Sequence, residues 1–266
     1  MSTQICNDMA VPLNKIAQHI DVVLETASLR DYPNALNGLQ LENRSSINAV
    51  AGAVDFSSRA IDGAIGTGSN LLVVHHGMFW GGLKRLTGVA YRQVQRLLEA
   101  DIAVYSSHLP LDRHPSLGNN VLLAKELGLQ PSDPFARFED FFIGTSGESD
   151  IETAELLTRA RRFARTQGGE VRVTPISPGR LTKRWAICTG AGAAVDTLRE
   201  ADAAGIDTLI VGEGPHWTAI YAEENDLTII YAGHYATETL GVRALAQHIG
   251  EEFNLPWHFI SAPTGL

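Results

Sequence analysis

Cysteine is nearly absent: Cys6 and Cys188 are the only two in 266 residues. Cys6 lies near the amino terminus and Cys188 in an apolar, strand-like run, so neither a disulfide staple nor a zinc–thiolate site is expected. No run of about 18 apolar residues exists to cross a bilayer. The start, MSTQICNDMAVPLNK, has no basic segment followed by an apolar block, so a secretory leader is not expected and a cytoplasmic location is. Positive charge is also scarce. Lys and Arg number 21 against 30 Asp and Glu, a formal net charge of −9. Broad binding to nucleic acid or an anionic membrane needs cationic side chains to neutralise phosphates, and this balance argues against both. A nucleotide in a local pocket stays open, because bound metal ions alone make a pocket positive. No Walker sequence, serine nucleophile elbow or catalytic-cysteine context occurs.

What is present is an ordinary globular balance, 44% hydrophobic and 19% charged, in a chain long enough for one large or two small cores. Asn14 is positioned to cap a first helix carrying Ile16, Ile20, Val23, Leu24 and Ala27 at helical spacing. The run Asp31-Tyr32-Pro33-Asn34 then breaks it. Strands are expected at 49–55, 71–75 and 102–106, with helices at 58–65, 89–100 and 117–127 between and after them. The two later strands are continuous apolar runs, the mark of strands covered on both faces. The alternation predicts an α/β fold with a largely parallel sheet.

Residues 131–180 break that rhythm with Pro131, Pro134, the aromatics Phe135, Phe138, Phe141 and Phe142, a basic helix at 154–165 and a strand at 171–176. They are expected to form a connecting segment between a first α/β lobe (1–130) and a second (181–266). The arginines 159, 161, 162 and 165 read as a solvated helix face rather than a phosphate site. In the second lobe strands are expected at 185–189, 208–211 and 228–232, and helices at 193–203, 215–224 and 237–249. The two halves can be laid on each other: LLVVHHG on TLIVGEG, VYSSHLPLD on IYAGHYATE, LGNNVLLAKELG on LGVRALAQHIG. The extra loop at 78–88 accounts for the longer spacing in the first half. The pattern implies a duplication, with two related lobes facing each other across a shared cleft.

Polar clusters follow three expected strands, where ligand sites form in α/β sheets. The first is His75-His76-Gly77. Adjacent side chains on an extended chain point to opposite sides, so either the turn at Gly77 gathers both imidazoles into one site or each serves a different ion. The bland alternative is a structural pair, one buried and one exposed. The second and third are His108-x-x-x-Asp112 and His234-x-x-x-Glu238, the same device in each half. Thr237 is placed to cap a helix there, and Pro110 is expected to prevent a regular helix in the first copy. One such pair alone reads as a capping carboxylate and a surface histidine; two at matching positions, beside His75-His76, read as metal ligands. Imidazole and carboxylate without thiolate suit Zn, Mn, Fe, Co or Ni. A bridging carboxylate, Glu238 or Asp112, can hold two ions about 3.5–4 Å apart and generate hydroxide near neutral pH. Glu213 is a general base, a partner of a ligand imidazole, or a structural ion-pair member. His108 is a ligand, a proton shuttle or a supporting group. His114 and His216 read as rim residues, and Gly190-x-Gly192 as a strand–helix turn rather than a phosphate loop.

These motifs, with Asn37-Gly38-Leu39-Gln40, VVHHGMFW, HLPLDRHPSLGNN, CTGAG and AGHYATETLGVRAL, resemble the Ngg-interacting-factor-three-like family from about residue 13 to 262. Its bacterial members carry the label GTP cyclohydrolase I type 2 homologue. The resemblance implies two related α/β lobes, a dinuclear metal site and a ring-shaped hexamer. It places the ligands on His75, His76, Asp112, His234 and Glu238. Tyr235 stands where similar members often have a second histidine, and Asn43 where a glycine is frequent. The expectation is a hydrolase using two divalent ions on a small nucleotide-like or phosphorylated substrate, with His108 and Glu213 as candidate catalytic groups. The competing expectation is a metal-binding regulatory or adaptor protein without turnover.

Overall fold

The structure, a computed structural model, describes residues 10–266; Cys6 lies outside them. In chain order come α1 (Leu13–Val23), β1 (Gly38–Leu41), β2 (Val50–Asp55), α2 (Ser58–Thr67), β3 (Leu71–His76), α3 (Gly88–Glu99), β4 (Ala103–Ser106), α4 (Leu109–Asp112) and α5 (Asn119–Glu126). There follow β5 (Asp133–Phe138), β6 (Phe141–Glu152), α6 (Thr153–Thr166), β7 (Arg172–Val173), β8 (Leu181–Cys188), α7 (Val195–Ala203), β9 (Thr208–Val211), α8 (Trp217–Glu224), β10 (Thr228–Tyr231), α9 (His234–Phe253) and β11 (Trp257–Phe259). The fold is mixed α/β with two sheets. One compact unit runs to Pro110 and takes in Val242–Ala262; the other is Leu111–Gly241 with Pro263–Leu266.

The first unit holds a five-stranded sheet in the order β1-β4-β3-β2-β11. β2, β3, β4 and β11 are parallel, and β1 closes one edge antiparallel to β4. The apolar runs explain why. Ala51, Ala53, Leu72, Val74 and Val104 alternate onto one face and meet Ala60, Ile61 and Ala64 of α2 and Leu97 of α3. The opposite face is buried too: Val50, Leu71, Val73, Ala103 and Tyr105 are all inaccessible. Gly52 lies there because a Cβ would meet Val242 O and Ala246 of α9, so its bareness lets that helix approach closely.

The second unit holds six strands, β5-β6-β8-β9-β10-β7. Its centre, β8-β9-β10, is parallel. Trp185, Ile187, Ile210 and Ile230 face Leu123, Leu156, Ala160 and Phe163, while Ala186, Leu209, Val211 and Ile229 face Leu198 and Ala222. Each fully buried Ile or Leu here contributes about 1.5–3 kcal/mol relative to exposure.

Four expectations change. Residues 131–180, expected as a connecting segment, supply β5, β6, α6 and β7 to this second sheet and its cover. α1 starts at Leu13 with Pro12 before it, so Asn14 lies in the first turn and does not cap. Pro110 does not prevent a helix: it sits in the first turn of α4, where a missing N–H costs nothing. α9 begins at His234, three residues before the expected cap, so His234 and Glu238 share one helix face.

Candidate metal centre

In the first unit the site grows from the carboxyl ends of β2, β3 and β4. His75 and His76 are the last residues of β3, both buried, with ring centroids 4.9 Å apart. A ligand atom of each lies within 4.8 Å of one on His108, so the three imidazoles form one group. The tethers set how they point. His75 Nδ1 lies 2.9 Å from Ser107 O, a carbonyl that only accepts, so Nδ1 carries the proton. His76 Nδ1 donates to Asp55 Oδ1 at 2.9 Å, and His108 Nδ1 to Asp31 Oδ1 at 2.9 Å. In a neutral imidazole this leaves the lone pair on Nε2.

Asp31 is in turn clasped by Asn37 Nδ2 at 2.8 Å and by Leu109 N at 2.9 Å. Burial opposes its ionisation, but the bonds and charge of His108, with those of Asn37 and Leu109, outweigh it and lower its pKa. Asn37 Oδ1 also accepts from His108 N at 2.8 Å. Gln40 fastens the turn after the histidine pair: its Oε1 accepts from Met78 N at 2.7 Å and its Nε2 donates to Leu36 O at 2.9 Å. Gly77 is bare because a Cβ would collide with Gln40 and Ser106 Oγ. Trp80 lies against the group, its centroid 4.6 Å from His76 and 4.5 Å from His108.

In the second unit the same tether recurs. His234 Nδ1 lies 2.8 Å from Glu213 Oε1, while its Nε2 lies 3.2 Å from Glu238 Oε2, one helical turn on. Burial disfavours the charged imidazole, yet the bonds and charges of Glu238 and Glu213 prevail and raise its pKa to about 9. Glu238 is buried. Asp112 is buried as well and accepts from Asn119 Nδ2 at 2.8 Å. Both carboxylates reach the surroundings of Cys188, whose thiol is pushed far up first by burial and then by the charges of Asp112, Glu200 and Glu238. Gly190 takes a left-handed φ of 62°, and a Cβ there would land on Glu238 Oε1. The turn at 190–192 therefore makes room for a carboxylate; its Gly190 N donates to Thr237 Oγ1 at 3.1 Å.

These donors fit a divalent ion. Four imidazoles have Nδ1 tethered to a carbonyl or carboxylate oxygen, the arrangement that orients metal-binding histidines. In the second unit the Nε2 proton of His234, held against Glu238, stands where a cation would replace it. The family model Duf34/NIF3 (NGG1p interacting factor 3) matches residues 11–264. The chain belongs to that family. A GTP cyclohydrolase 1 type 2 homolog of Halobacterium salinarum is 42% identical over 240 residues, covering 89% of this chain and 93% of that one. A protein of the same name from Deinococcus radiodurans is 39% identical over 238 residues, 88% of each. The solved structure of the protein ybgI, described as of unknown function, superposes with a TM-score of 0.86 at 31% identity, covering 96% of this chain and all of that one.

In this NIF3-family chain the sequence reading missed Asp31 and Asp55. Asp31 passed as part of a chain-breaking Asp-Tyr-Pro-Asn run. Asp55 had a signal: it ends the strand beside β3, directly opposite His76 in parallel register. Of the roles open to Glu213, the structure shows the partner of an imidazole. His114 accepts from Leu117 N at 3.0 Å in its own loop, and His216 is exposed. Arg161, Arg162 and Arg165 are exposed, and Arg159 pairs with Glu155 and donates to Leu127 O. No helix among the described residues is long and apolar enough to cross a membrane.

Proposed function

We propose that this chain is a metal-dependent hydrolase with a dinuclear centre, acting on a small nucleotide-like or phosphorylated substrate. The observation that carries it is the shared tether: His75, His76, His108 and His234 each spend Nδ1 on an oxygen acceptor. In this reading His75, His76 and His234 supply nitrogen donors, and Asp112 and Glu238 supply the carboxylates. The name GTP cyclohydrolase 1 type 2 homolog, carried by relatives, is consistent with hydrolysis. Bound divalent ions supply a low-pKa water and polarise a phosphoryl or carbonyl oxygen.

The chain's own groups do the rest. Asn119 holds Asp112 in one orientation, and Glu213 holds His234. His108, backed by the buried Asp31, moves the proton, since an imidazole aligned by a carboxylate is a competent general base and acid. The test is elemental analysis of the purified protein followed by a nucleotide and phosphoester panel with and without chelator. Two ions per chain, chelator-sensitive turnover, and loss of both in His75→Ala are expected. Two ions with no turnover would replace this reading by a metal-binding regulatory protein; activity in a metal-free His75→Ala protein would sink it outright.

A further inference from the structure

Beside His76, wholly within the first unit, lies a cavity of about 390 Å³. That is within the range of small-molecule sites, about 300–1,000 Å³. It runs between the segment after β3 and the face of α3. Phe56 and Trp80 line it, Asp55 and His76 stand together in its wall, Lys84 lines it from the segment after β3, and Ala90 belongs to the α3 side. A larger cavity of about 520 Å³, in the second unit, borders Glu213 and His216 and does not include His234. Of these two cavities, the smaller is the one that reaches a candidate ligand imidazole directly.

The chemistry of the walls limits what fits. Three aromatic side chains, Phe56, Phe79 and Trp80, favour a flat ring, because offset and edge-to-face contacts suit π-systems. Asp55 gives one oxygen to His76 Nδ1, yet its side chain remains 34% exposed, so it can also accept from a ligand. A carboxylate accepts and does not donate when ionised, so the ring edge facing it must carry N–H. Lys84, an exposed cation, suits an anionic group attached to the ring. We propose that this cavity is the ring subsite of the substrate, taking a planar nitrogen heterocycle whose N–H edge meets Asp55 and whose anionic substituent reaches Lys84. The proposal rests on the metal-centre reading above, since it is the position of His76 that makes a ring here reactive rather than merely bound.

Binding can be read without turnover. The probes are guanosine, whose ring edge carries N–H donors, GTP, and inorganic triphosphate, titrated calorimetrically into metal-loaded protein, with metal content measured for every variant. GTP is expected to bind tightest and guanosine measurably. Ala90→Trp, which fills the cavity from the α3 side, should weaken guanosine and GTP at least tenfold with metal content unchanged. Lys84→Ala should bring GTP down to the level of guanosine and leave guanosine alone. Triphosphate binding as tightly as GTP, or guanosine binding indifferent to Ala90→Trp, overturns the subsite. If the nucleoside behaves as expected while no panel member is turned over, the hydrolase reading fails and the subsite stands. If ring-free phosphoesters are turned over and guanosine does not bind, the subsite alone fails.

Discussion

The two units solve one local problem with opposite chemistry. Each has a parallel triplet in chain order, β2-β3-β4 and β8-β9-β10, with polar groups at or beyond the strands' carboxyl ends. The first unit gathers three imidazoles and keeps its carboxylates, Asp31 and Asp55, behind them as tethers. The second offers one imidazole, His234, set between two carboxylates, Glu213 and Glu238. The consequence is electrostatic. His234, flanked by two anions, is raised to about 9 and is an imidazolium at neutral pH. The lesson is that a strand-end frame fixes where donors stand, while the carboxylates that touch an imidazole, Glu238 before Glu213 in the case of His234, decide its charge.

The sharpest way to break this comparison is Gly190→Ala. A side chain there must adopt a left-handed backbone, costing about 1–2 kcal/mol, and must also displace Glu238. Thermal unfolding should show the destabilisation, and elemental analysis should show metal loss, while Gly77→Ala should disturb Gln40 and the first unit instead. Next come the tethers. Asp55→Asn and Glu213→Gln should each lower metal affinity about 10–100-fold by equilibrium dialysis. If Glu213→Gln has no effect, the tether is ornamental in the second unit and the parallel between the units is false.

Asn119→Ala tests a quieter link. Asn119 is fully buried, donating to Asp112 and accepting from Gly241 N at 2.7 Å. Its loss should cost about 1–3 kcal/mol in denaturant unfolding. The pH dependence follows from His234. A folded pKa of about 9 above the ordinary 6.5 stabilises the metal-free protein fully below pH 6.5, and that stability is lost as pH rises through 9. A metal must expel the same proton, so affinity should climb by up to about tenfold per pH unit between 6.5 and 9, with proton release visible in calorimetry across buffers. A flat profile would contradict the raised pKa of His234. Smallest of all, Arg161→Ala should change stability by no more than about 0.5 kcal/mol, as for a solvated helix face.

What could be read in advance had a local cause. LLVV and TLIV are apolar runs that make buried strands in any α/β setting, and the polar residues that follow them stand at the strand ends. α9 was legible as a helix but not its start, because Thr237 looks like a cap until one sees its hydroxyl spent on Gly190 N and His234 O. The hairpin β5-β6 was hidden for the opposite reason. Its second strand, with GTSGESD, has the composition of a loop, and pairing with β5 on one side and β8 on the other makes it a strand. Asp31 lies 77 positions from His108, and no periodicity links them.

The rings held at Nδ1 have one more consequence. Their orientation is set by Ser107, Asp55, Asp31 and Glu213, groups of the chain itself. With nitrogen and oxygen donors and no thiolate, such a site accepts several first-row ions, and affinity alone ranks them in the order common to most proteins. The ion found in it should therefore track the metal supply of the cell: grown on manganese or on iron, the same chain should carry a different cargo in an unchanged fold.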